Sequence, residues 1–171
     1  AHAVAGDPGL LESVRDTLFS RCSDDQLLMA HFARPVLQFA TPLNLFGSLK
    51  KPQHGIDIKK GALFPLVHGV RAMALQCRIR ETSTLARLDK LVAAGAMEPG
   101  FAEDLGEAME LFSELRLSRQ LAKLQGEDET VEDNHIVVQQ LSSLERDVLR
   151  DALHLVSEFK QRLSRRFHLE Y

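Results

Sequence analysis

Apolar positions recur at three- and four-residue steps along most of this 171-residue chain, the pattern of amphipathic helices. A first helix is predicted after Asp7-Pro8, from about Gly9 to Cys22, with Leu11, Val14, Leu18 and Phe19 on its core side. A second starts after Ser23 or Asp24, carries Leu27, Leu28, His31 and Phe32, and meets Pro35. The turn-rich stretch TPLNLFGSLKKPQHG that follows reads as a surface crossing rather than a strand.

The segment GIDIKKGALFPLVHGVRAMAL opens a third helix of roughly Ile58 to Arg78, with Leu63, Leu66, Val67, Val70, Met73, Ala74 and Cys77 at core spacing. Pro65 lacks an amide for the carbonyl of Gly61, so the regular helix either begins near Leu63 or kinks there. Ser83 caps a fourth helix with Leu85, Leu88, Leu91 and Val92, which Gly95 stops. Pro99 opens a fifth, with Phe101, Leu105, Ala108, Phe112 and Leu115 in a stripe, reaching about Leu124. The acidic run GEDETVEDNH, 126 to 135, reads as a mobile loop, and IVV at Ile136 to Val138 is the one short strand signal. Ser142 and Glu145 then form a capping box for a long last helix with Val148, Ala152, Leu155, Val156, Phe159, Leu163 and Phe167. The expectation is an all-α domain, a bundle of about six helices.

Composition narrows this picture only slightly. A hydrophobic fraction of 44%, a charged fraction of 26% and a net charge of -3 exclude disorder and give no global reason to expect nucleic acid or an anionic membrane. No apolar run approaches the ~18 residues of a membrane span, and the first residues lack the charged-then-apolar pattern of a signal peptide. Cys22 and Cys77, each within an apolar-periodic segment, read as reduced core thiols, which points to the cytoplasm.

The histidines form no HExxH or HxxxH pair, and there is no Walker loop, GxGxxG motif or nucleophile elbow. What stands out is cationic and amide groups among apolar neighbours. Lys60, Phe64, Arg71 and Arg78 fall near one azimuth of the third helix, while Phe112, Arg116 and Gln120 follow one another at four-residue steps in the fifth. Arg87 lies just inside the fourth. Arg71, Arg87 and Arg116 either find buried partners among Asp57, Asp89, Glu107 and Glu110, or snorkel to water, or form a groove whose guanidinium forks bind phosphate or carboxylate. Gly61, beside Lys59 and Lys60, would let an anion approach helix-entrance amides.

Five segments in order, RPVLQFATPLNLFG, IDIKKGALFPLVHGVRAMAL, TSTLARLDKL, LFSELRLSRQL and LSSLERDVLRDAL, resemble a known family, the nucleotidyltransferase substrate-binding domain. Its members are helical C-terminal parts of bacterial signal-transduction proteins that also carry a nucleotidyltransferase domain and, often, CBS and cyclic-nucleotide-binding domains. The resemblance implies a helical domain over 9–171 beside a catalytic domain similar to those that uridylylate the PII protein, with residues 1–8 as the tail of that upstream domain. It places Mg²⁺ and a nucleoside triphosphate on the catalytic domain, leaves this chain non-catalytic by itself, and allows a protein acceptor. Lys59, Lys60, Gly61, Arg71, Arg87, Arg116 and Gln120 are then expected to face the companion domain. The alternatives are a helical interaction or dimerisation module coupling CBS or cyclic-nucleotide sensor domains to a partner, and a sensor whose bundle binds a small molecule.

Overall fold

Asp7 takes the amide of Gly9 at 2.8 Å and Pro8 fills the first helical position, so α1 (Pro8–Cys22) starts where its cap dictates. The computed structural model describes residues 5–53, 55–126 and 134–169. The second helix, α2 (Gln26–Ala33), is capped by Asp25, whose carboxylate accepts from Leu28 N at 2.9 Å, two residues later than a start after Ser23 and one later than a start after Asp24. Pro35 then sits in a 3-10 turn, Arg34–Leu37. The 41–53 crossing is irregular, pinned by an isolated Leu43–Leu49 bridge.

The third helix has two parts. Lys59–Leu63 is a π-helical turn, and α3 (Phe64–Gln76) continues it. Proline explains the join. Pro65 has no amide to offer, and the ladder just before it is closed by Phe64 N–H reaching back five residues to Lys59 O. Helix α3 ends at Gln76, and Arg78 adopts a left-handed conformation (φ 57°) outside it, so Arg78 leaves the polar stripe predicted for this helix.

Helix α3 is the centre of the bundle, touching α1, α2, α4 (Thr84–Ala93) and α6 (Ser143–Phe167), while α5 (Pro99–Leu124) packs on α4 and α6. Leu66, Val70, Met73 and Leu75 are buried in α3, as are Leu105 and Phe112 in α5 and Leu149, Leu153, Val156, Phe159 and Leu163 in α6. Burying each such side chain contributes about 1.5–3 kcal/mol. Gly69 lets α3 approach α6, since a Cβ there would fall on Leu163 and 2.7 Å from Phe159. Antiparallel strands β1 (Ile56–Asp57) and β2 (His135–Ile136) close one end of the bundle, with Ile56 opposite Ile136. Residues 127–133 of the acidic run lie outside the described residues.

Two expected faces differ, and Leu85 of α4 and Val148 of α6, expected in the core, are also exposed. In α1 only Cys22 is buried; Val14 and Leu18 are 66% and 46% exposed. In α2 the core contact comes from Met29 and Ala33, with Leu27 and Leu28 turned outward. Both helices are short outer elements laid against α3, and periodicity alone does not say which apolar residues a neighbour covers. The capping box at Ser142–Glu145 forms as expected.

Candidate functional site

Lys59 and Lys60 are exposed on the π turn. The helix entrance beside them is already served from within the chain. Asp57 accepts a hydrogen bond from Lys60 N at 2.9 Å, and its other oxygen lies 3.4 Å from Lys60 Nζ. One orphan amide is thus satisfied by a carboxylate that also complements the positive helix end. Gly61 is buried, and a Cβ there would come 2.8 Å from Pro42 Cδ. Its lack of a side chain admits the crossing loop.

Arg116 is half-buried on α5 and donates through Nε to Asn134 Oδ1 at 2.7 Å. The backbone carbonyl of the same Asn134 accepts from Ile58 N at 2.9 Å, so Arg116 braces the short ribbon against the π turn. Gln120 lies one turn further along α5, partly buried. Lys59, Lys60, Gly61 and Arg116 therefore belong to one end of the bundle.

Arg71 lies about 16 Å further along the third helix, at ~1.5 Å per residue, and meets Arg87 of α4 there. The two line a groove of about 280 Å³ whose other walls come from α1, α2 and the end of α3: Leu11, Leu18, Phe19, Phe32, Leu75 and Ile79. Arg87 donates through Nε to the Glu81 carbonyl at 2.7 Å, which fixes the plane of its fork. Burial first, then the charge of Arg71, pushes the Arg87 guanidinium below its usual range, and Glu81 partly offsets this. Among the described residues Arg71 has no hydrogen-bond or ion-pair partner, and the partners considered for this pair, Asp57, Asp89, Glu107 and Glu110, bond to neither. The predicted set thus divides between two places, and only Arg71 and Arg87 share a cavity.

The sequence reading missed the wall that completes this groove. Arg80 binds Glu12 at 3.0 Å and Asp16, and its guanidinium lies 5.5 Å from the Phe19 ring centre. Arg15 pairs with Glu12 at 2.7 Å. The available signal was a charged pair at four-residue spacing, Glu12 and Asp16, on a helix whose apolar side is thin. His68, by contrast, is a packing residue. Its Nε2–H donates to the Phe32 carbonyl at 2.7 Å, and its ring stacks between Phe32 and Phe64.

The sequence profile of one family, described as putative nucleotidyltransferase substrate binding domain, matches residues 26–167. The chain belongs to this family. Its description implies a companion nucleotidyltransferase domain. No curated protein and no solved structure matches the chain. The matched span takes in every helix from α2 to α6, and α1 precedes it, so the Arg71–Arg87 groove joins the family core to a helix ahead of it. Among the described residues no helix is long and apolar enough to cross a membrane.

Proposed function

We propose that this substrate-binding domain serves a modular bacterial signal-transduction nucleotidyltransferase of the PII-uridylyltransferase-like kind, orienting nucleotide or acceptor for the catalytic domain. The observation that carries this reading is the Arg71–Arg87 pair, two guanidinium groups in one groove with no carboxylate among the described residues bonded to either. Such a pair matches the planar, bidentate geometry of phosphate and carboxylate. Among the described residues no group of three or more His, Cys, Asp or Glu side chains gathers to hold a metal ion. In this reading Mg²⁺ and the nucleoside triphosphate belong to the companion domain that the family description implies, and this chain contributes binding. Lys59, Lys60, Arg116 and Gln120 form a second, separate patch toward the same domain, with Gly61 buried beneath it against Pro42. A cytoplasmic setting, linked CBS or cyclic-nucleotide-binding domains and a protein acceptor complete the proposal.

The test is incorporation of labelled nucleotide by the protein joined to its catalytic domain. Arg71→Ala and Arg87→Ala are expected to abolish transfer while Lys50→Ala, an exposed residue of the crossing loop, leaves it intact. Equal activity in all three would sink the site assignment. A second reading, an interaction or dimerisation module, is favoured by a different observation. Leu45 and Phe46 are 101% and 92% exposed at the tip of that loop, and Asn44 Oδ1 holds the tip by accepting from Phe46 N and Ser48 N at 2.9 Å. Sedimentation of the Leu45→Ser, Phe46→Ser double variant tests it, an unchanged assembly state counting against that reading.

A further inference from the structure

The groove between α1, α3 and α4 has a polar end and an apolar body. At the polar end stand Arg71, unbonded among the described residues, and Arg87, whose Nε is held by the Glu81 carbonyl while both terminal nitrogens remain uncommitted. The nearby carboxylates are engaged elsewhere: Glu12 with Arg15 and Arg80, Asp16 with Arg80, and Glu81 3.9 Å from Lys90. Positive charge is thus left over at one end of a cavity. Along the rest of it run Phe19, Phe32, Leu75 and Ile79. Val14 and Leu18 add exposed carbon on the α1 side, which the bundle itself does not cover.

Size and charge together favour a small occupant, although the groove is open to solvent on one side. At about 280 Å³ the groove lies at or below the roughly 300–1,000 Å³ of pockets for drug-sized ligands. Arg15, Arg80 and Thr82 also line the groove, but both of those arginines are paired with Glu12 or Asp16, so a nucleoside triphosphate carries more charge than the two remaining guanidinium groups neutralise, and its sugar is polar where most of the walls are apolar. A single anionic head fits the paired forks, and a body of about one ring fits the walls.

We propose that this groove binds a small organic anion, with a phosphate or carboxylate held by Arg71 and Arg87 and an apolar, ring-sized body against Phe19, Phe32 and Leu75. The inference deepens the substrate-binding reading by assigning the groove to a small acceptor rather than to the nucleotide. Binding is measured on this chain without a catalytic domain, so its failure is distinguishable from a failure of nucleotidyl transfer.

Calorimetric titration with phenyl phosphate, phenylacetate, inorganic phosphate and adenosine triphosphate tests it. Phenyl phosphate or phenylacetate is expected to bind, the tighter of the two naming the head group. Inorganic phosphate, lacking the ring, is expected to bind about tenfold more weakly or worse. Arg71→Gln and Arg87→Gln should each weaken the ring compound about tenfold or more, and Arg71→Lys, keeping charge but losing the fork, should fall between. Neither arginine belongs to the buried core, so unchanged helical circular dichroism and melting separate lost binding from lost folding. The proposal is overturned if neither ring compound binds, if adenosine triphosphate binds more tightly than both, or if binding survives both glutamine substitutions.

Discussion

Asp57 accepts the backbone amide of Lys60 at 2.9 Å and so occupies the helix entrance that the lysines would otherwise offer to an anion. The carboxylate does for this π turn what an N-cap does for an α-helix. Replacing Asp57 by Ala should cost about 0.5–2 kcal/mol, read as a lower urea midpoint. It should also expose the Lys60 amide beside two lysine ammonium groups. Phosphate at millimolar concentration is then expected to raise the melting temperature of the variant more than that of the parent. Equal shifts would mean that the entrance is not an anion site even when Asp57 is removed.

What could be read from the chain follows the range over which each signal acts. Ser142 and Glu145, Pro99, and Gly95 with its φ of 66° mark helix ends through contacts within a few residues, and their positions were legible. The outward turn of Val14, Leu18, Leu27 and Leu28 was not, because it depends on how few neighbours lie over α1 and α2. The polar set was legible as residues but not as a site. Lys60 and Arg71 share a stripe, yet the axial rise carries them to different ends of the helix, and the partners of each come from distant segments: Asn134 for Arg116, Glu81 for Arg87. The π turn was foreshadowed by Pro65 alone, whose missing amide required an irregular ladder without specifying its form.

Gly69 sets how closely the central helix meets α6. Gly69→Ala gains about 1 kcal/mol of helix propensity but brings a methyl to 2.7 Å from Phe159, where overpacking costs typically 1–3 kcal/mol. The net expectation is a lower denaturant midpoint, and a larger drop for Gly69→Val. Adding Phe159→Leu to Gly69→Ala should recover part of the loss in a double-mutant cycle. Additive effects would show that the two positions are not in contact.

Hydrogen bonds from the Ser142 side chain and backbone hold the Glu145 carboxyl below its usual range. A depressed carboxylate stabilises the fold at every pH above its unfolded value, and that contribution is lost as pH falls through the lower folded value. Glu145→Gln removes the titrating group. The stability difference between parent and variant should therefore be constant near neutrality and shrink below the ordinary glutamate value of about 4.3, as measured by urea unfolding at several pH values. A difference that does not change with pH would detach the carboxylate from the cap.

Helix α1 is held on the bundle more by arginines than by a core. Arg80 binds Glu12 and Asp16 and lies over Phe19, and Arg78 reaches Asp24 in the linker just past the helix at 2.9 Å, whereas Cys22 is the one buried α1 residue. Exposed ion pairs contribute roughly 0–1 kcal/mol each and weaken with salt, so this attachment is the weakest seam among the described helices. Arg80→Ala should leave the unfolding midpoint of the whole bundle nearly unchanged while speeding amide exchange in α1 relative to α6. High salt applied to the parent should move α1 exchange in the same direction. Because α1 walls the Arg71–Arg87 groove, Arg80→Ala should also weaken binding of a ring-bearing anion, whose body rests on Phe19, more than binding of inorganic phosphate. Uniform exchange across α1 and α6 in the variant would show that α1 opens only when the bundle unfolds.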